Sequence, residues 1–202
     1  MFQPRITLGR DKRFLVYDVE TYATGFADPQ WVPQVITCVS WKWYGKSARS
    51  AKVSASVDYF DPDCPMGHLD PSAVSGMLEP FLNDLHLADA VITYNGRRFD
   101  NPVLNGMMWY TGMLPVQPFP TYDLHYFGKI KGVKRGLDNL AVFLGVAGHK
   151  QAMNHAQWQE AYLTPGWPEI KSRARSDVVL TEQLFDAIKK RGWLKPPVEW
   201  KP

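Results

Sequence analysis

The sequence predicts an α/β protein built on a mixed five-stranded sheet flanked by helices, and three observations carry that expectation. Residues 13–21 form an apolar run rich in valine and aromatics, the composition of a buried strand. Two further strand-like segments follow at short spacing, as in an antiparallel meander. Beyond residue 70 the apolar period lengthens from two to helical spacing, and helices alternate with short apolar strands.

The bulk numbers bound the class. A chain of 202 residues suits one domain, with a core over about 13–190 and an extended tail over 193–202. Hydrophobic residues make up 45% and charged residues 21%, as in an ordinary globular protein. No apolar run approaches the roughly 18 residues that would cross a bilayer, so no membrane partner is expected. The first residues, Met1-Phe2-Gln3-Pro4-Arg5, lack an apolar signal core, and a cytoplasmic location is expected. Two cysteines, Cys38 and Cys64, make no disulfide framework and fit a reducing compartment. The net charge of +3 does not by itself demand a polyanionic partner, although the basic residues cluster late in the chain.

Strand one is expected over 13–20, strand two over 34–43, and strand three over 51–60 after a Gly45-Lys46 turn. Asp70 or Ser72 can cap a helix whose apolar stripe is Val74, Met77, Leu78, Phe81, Leu82 and Leu85. Residues 88–94 read as a short buried strand, followed by a helix through Leu104, Met107, Met108 and Tyr110. Asp100 sits where its N-cap belongs, with Pro102 in the first turn. A short strand near 121–123, a helix near 123–130, and a glycine-stopped helix over 137–144 come next. One helix is expected near 155–162. The last runs from about 171 to 190, with Val178, Val179, Leu184, Phe185 and Ile188 on its apolar face.

The chemistry is concentrated in acids. A strand has period two, so Asp18 and Glu20 project from one face, where two carboxylates repel unless a cation lies between them. An oxygen-only donor pair suits a hard ion such as Mg²⁺ or Mn²⁺. Cys64 and His68 are two isolated soft ligands and do not make a zinc site.

Three acidic stretches taken together resemble the DEDD superfamily of 3′–5′ exonucleases, the DnaQ-like branch of the ribonuclease H-like fold. The first is Asp18-Val19-Glu20-Thr21 at the end of strand one. The second is Asn95-Gly96-Arg97-Arg98-Phe99-Asp100, between a strand and a helix. The third is Asp177-Val178-Val179-Leu180-Thr181 on the final helix. The segment from Leu137 to Gly145 resembles the short helix these enzymes carry between the second and third motifs. The chain departs from the family at one point. A Tyr four residues, or a His five residues, before the third Asp normally positions the attacking water, whereas here those places hold Arg173 and Ser172.

The resemblance implies a 3′–5′ exonuclease hydrolysing phosphodiester bonds of DNA, with RNA as an alternative, through two Mg²⁺ or Mn²⁺ ions held by Asp18, Glu20, Asp100 and Asp177. Arg173 would hold the scissile phosphate or leaving group, and the ions alone would activate the water. His149 and His155 are the histidines weighed as recruited bases. Asn95 would reach the substrate backbone, Phe99 would pack beneath the site, and Tyr22 would lie along the terminal nucleotide. Arg97, Arg98, Lys129, Lys131, Lys134 and Arg135 are candidate phosphate contacts, the last four set among glycines that allow close backbone approach. The expected partner is single-stranded DNA or a 3′ end, and a replication or repair protein is a further candidate. Two other readings share these residues: a nucleic-acid-binding domain with weak catalysis, and a structure-selective endonuclease of the resolvase kind.

Overall fold

The computed structural model describes residues 11–22, 35–55, 71–128, 134, 136–146 and 153–201. Strand β1 (Phe14–Tyr22) pairs antiparallel with β2 (Val35–Trp43), and β2 with β3 (Lys52–Ala55). On its other side β1 runs parallel to β4 (Ala90–Thr93), which runs parallel to β5 (Phe119–Asp123). The last strand, β6 (Val198–Trp200), closes the edge of β5 antiparallel, giving the order β3-β2-β1-β4-β5-β6. The expected fold class holds, with one strand more than the five predicted. The sequence predicts only an extended tail; its pairing with β5 satisfies backbone groups that an open edge would leave bare.

Among the described residues, five α-helices cover the two faces: α1 (Pro71–His86), α2 (Asp100–Tyr110), α3 (Leu137–Leu144), α4 (His155–Leu163) and α5 (Pro168–Lys190). The period of β1 sorts the core. Leu15, Tyr17 and Val19 pack with α1 and α2 residues such as Val74, Phe81 and Leu104. Phe14 and Val16 pack on the opposite face with Leu140, Val178, Leu184 and Phe185 from α3 and α5. Truncating a fully buried aromatic such as Phe185 costs about 3–5 kcal/mol, so this face is firmly held. Asp18 and Glu20 continue the even-numbered row of Phe14 and Val16, the row that faces α5.

Local expectations met the structure with small corrections. Helix α5 begins three residues earlier than predicted, because Pro168 occupies its first turn, where a missing N–H costs nothing. The helix expected near 123–130 is a short 3-10 turn over Leu124–Gly128. Gly145, in the left-handed conformation at φ 66°, ends α3 as predicted. Asp100 is the first residue of α2 rather than its cap, which is Phe99. The outer part of strand three (56–60) and the Cys64–His68 pair lie outside the described residues. Among the described residues no helix is long and apolar enough to cross a membrane.

Candidate active site

The even row of β1 carries Asp18 and Glu20 to the end of the sheet, where α5 crosses it. Asp177 lies on the buried side of α5, beside Ala174, Val178 and Thr181. One carboxylate oxygen from each of Asp18, Glu20 and Asp177 lies within 4.8 Å of the others. A long-range contact has therefore brought together acids that stand about 160 positions apart in sequence, which is the arrangement a divalent ion stabilises. All donors are carboxylate oxygens, so the set fits Mg²⁺ or Mn²⁺ and not a thiolate-preferring metal.

Asp100 stands behind this trio. It is buried, and its Oδ1 accepts a 2.9 Å hydrogen bond from the backbone N–H of Val19, between the two β1 acids. Burial is the main cause that pushes its carboxyl up to about 7; Asp123 and Glu20 add to the shift, and its backbone hydrogen bonds oppose it. Asp100 is not one of the three converging carboxylates, but it lines the same cleft as Asp18 and Glu20. That cleft, of about 370 Å³, is also bounded by Tyr94, Asn95, Phe99, His125 and Gly136.

The second motif has a structural reason for its Asn-Gly pair. Asn95 adopts the left-handed region at φ 69°, which asparagine tolerates better than most residues. A Cβ at Gly96 would come within 2.5 Å of the Cβ of Thr93, so no side chain fits there. The loop is then tied down by Asp123, at the end of β5. Its carboxylate accepts from the N–H groups of Asn95 (2.8 Å), Arg97 (3.0 Å) and His125 (3.0 Å). Asp123 escaped the sequence reading because an Asp closing a strand looks like ordinary turn chemistry. The signal that would find it is a buried strand ending in an acid beside a second acidic motif.

Arg173 is turned toward the acids. Its Nε lies 3.8 Å from Oε1 of Glu20, and its guanidinium rests over the Trp158 ring at 5.1 Å. His125 was also missed, since neither spacing nor charge marks it out; it reaches the cleft only because the 3-10 turn after β5 does. Of the two histidines weighed as bases, His155 opens α4 and His149 lies outside the described residues.

The remaining candidates divide. Phe99 both lines the cleft and packs against the α1/α2 core, and Asn95 forms part of the wall. Arg97 and Arg98 lie over the Tyr126 ring at 5.1 and 5.9 Å. Tyr22 is the last residue of β1. Lys134 is exposed, whereas Lys129, Lys131 and Arg135 lie outside the described residues.

A family model described as the RNase H superfamily matches residues 62–187. The match takes in the second and third acidic motifs and stops short of β1. Among solved structures, the chain is similar to the family B DNA polymerase from the hyperthermophilic archaeon Pyrobaculum calidifontis, with a TM-score of 0.65 at 18% identity. The likeness covers 88% of this chain and 24% of that polymerase, so the chain spans about a quarter of its length. No curated protein matches the chain.

Proposed function

The chain belongs to the RNase H superfamily, and from that premise we propose that it is a metal-dependent 3′–5′ exonuclease acting on DNA. The observation that carries the proposal is the convergence of Asp18, Glu20 and Asp177, the first two of which line a cleft of about 370 Å³. These three residues would hold two Mg²⁺ or Mn²⁺ ions, with Asp100 supporting them from behind through Val19. Bound there, such ions supply a nucleophile at neutral pH and offset the charge that develops on the phosphoryl oxygens.

The chain's own residues do the rest. Asn95 and Phe99 form the wall against which the terminal nucleotide lies, and Asp123 keeps that wall rigid by holding three backbone N–H groups. Arg173, already directed at Glu20, holds the scissile phosphate with its donors. His125 lines the cleft and takes the proton lost by the attacking water, a role that suits imidazole near pH 7.

A second reading is a nucleic-acid-binding domain without turnover. The guanidinium of Arg173 beside Glu20 favours it, because a fixed cation there competes with a metal for the same carboxylate. Mn²⁺-supported release of mononucleotides from a 3′-labelled strand, compared with binding in EDTA, decides between them. Mononucleotide release supports the exonuclease. Binding without release supports the second reading, and discrete internal fragments point to an endonuclease. Neither binding nor release of DNA or RNA sinks the nucleic-acid assignment.

A further inference from the structure

A second concavity takes part of its wall from the loop that carries Asn95 and Asp100. It encloses about 150 Å³ and is lined by Arg97, Tyr122, Asp123, Tyr126 and, from the C-terminal tail, Lys195 and Val198. The tail is held on both sides of Lys195. Leu194 is buried in the α3/α5 core, and Trp200 is buried in β6 with its ring 5.4 Å from that of Phe119. Lys195 is therefore placed by structure, yet among the described residues it makes no ion pair. The Nε of Arg97 is shielded from solvent and has no hydrogen-bond acceptor among the described residues. A buried donor left so is destabilising unless a ligand accepts from it. The one acid in the wall, Asp123, already has its two oxygens engaged by three backbone N–H groups. Two cations thus face a small pocket in which, among the described residues, the one carboxylate, that of Asp123, is satisfied.

We infer that this pocket is a phosphate-binding subsite for a nucleic-acid strand, separate from the acid cluster, with Arg97 and Lys195 as its ligands and Tyr126 fixing the Arg97 plane. The inference rests on the nucleic-acid reading of the neighbouring cleft. The two concavities share the 95–100 loop and the 123–126 segment, so a strand whose end enters one passes close to the other. The phosphate is either an internal phosphodiester or a terminal monoester, and the chemistry of recognition is the same.

The test is fluorescence anisotropy of a labelled single-stranded oligonucleotide, in EDTA, over a range of salt. Arg97→Gln and Lys195→Gln are each expected to weaken binding and to flatten the slope of log K against log salt by about 0.7. Lys46→Gln removes an exposed charge from the β2–β3 turn and is expected to leave the slope unchanged. Melting temperatures confirm that each variant folds. A loss confined to strands with a 5′-phosphate identifies the monoester, and an equal loss on 5′-hydroxyl strands identifies the diester; either supports the subsite. A Lys195→Gln variant with wild-type affinity and slope overturns it, and so does weaker binding with an unchanged slope, which would mean a seat for a base. Because no turnover is measured, an inactive protein leaves this result standing. Failure of the wild type to bind any strand sinks both the subsite and the nucleic-acid reading.

Discussion

The Nε of Arg173 lies 3.8 Å from Oε1 of Glu20, one helical turn before Asp177 on α5. A fixed positive charge is thus already seated beside the carboxylates proposed to hold metal. Its field offsets part of the repulsion among the acids and opposes a cation entering the same space.

Arg173→Gln is therefore expected to bind Mn²⁺ more tightly than wild type and to turn over more slowly, since the phosphate loses a donor. Isothermal titration gives the first quantity and a nucleotide-release assay the second. Weaker metal binding in the variant would show that Arg173 orients Glu20 rather than competing for it.

Asp18→Ala is expected to abolish hydrolysis and leave the fold intact, with a metal-free melting temperature equal to or slightly above wild type, because one of three crowded carboxylates is gone. Millimolar Mg²⁺ or Mn²⁺ should raise the melting temperature of wild type, by a stabilisation of about 2.7 kcal/mol at a hundredfold excess over Kd. Glu20→Ala should lose most of that shift. Calorimetric scans with and without metal read both, and full activity in Asp18→Ala would remove the site assignment.

His125→Ala is expected to slow hydrolysis by roughly 10²-fold or more and to remove the acidic limb of the pH–rate profile, as for a general base. His155→Ala should stay near wild type. Rates measured from pH 6 to 9 separate the two variants. An unaltered profile in His125→Ala would leave proton removal to the metal site alone.

Asp100 makes the metal-free protein sensitive to pH in a defined direction. Its carboxyl is raised to about 7 in the folded state, first by burial, against an ordinary value near ~4 when unfolded. The folded state therefore holds the proton more tightly. The stabilisation is fully present below pH ~4 and is lost as the pH rises toward 7, by on the order of a few kcal/mol. Asp100→Asn keeps the oxygen that accepts from Val19 and removes the titration. In EDTA the variant should overtake wild type in melting temperature between pH 4 and 8; parallel curves would contradict the shift.

Lys42 and Glu182 form a buried ion pair between β2 and α5, and Glu182 also accepts from the N–H of Gly45 at 2.7 Å. Lys42→Met alone leaves a carboxylate without its cation and is expected to cost about 3–5 kcal/mol. The double variant Lys42→Met/Glu182→Leu should recover much of that loss. Urea unfolding curves measure the difference, and a single variant as stable as wild type would mean that Glu182 reaches water.

Local periodicity alone determined much of this protein. Period two along β1 placed Asp18 and Glu20 on one face, and the helical spacing of Val178, Leu184, Phe185 and Ile188 gave α5 its core-facing side. Strand and helix order followed from the same apolar spacing, because each helix or strand must bury one face and the pattern of that face is written in neighbouring residues. Contacts between distant segments were decided by the tertiary structure. Lys42, within the strand expected over 34–43, is buried because α5 covers the second face of the sheet and brings Glu182. Asp123 reads as a turn residue until the 95–97 loop folds over it, and His125 reaches the cleft only through the turn that follows. The tail reads as extended, but its pairing depends on an unfilled edge at β5. Polar groups carry no period of their own, so their partners are chosen by whichever backbone donors and opposite charges the packed elements deliver to them.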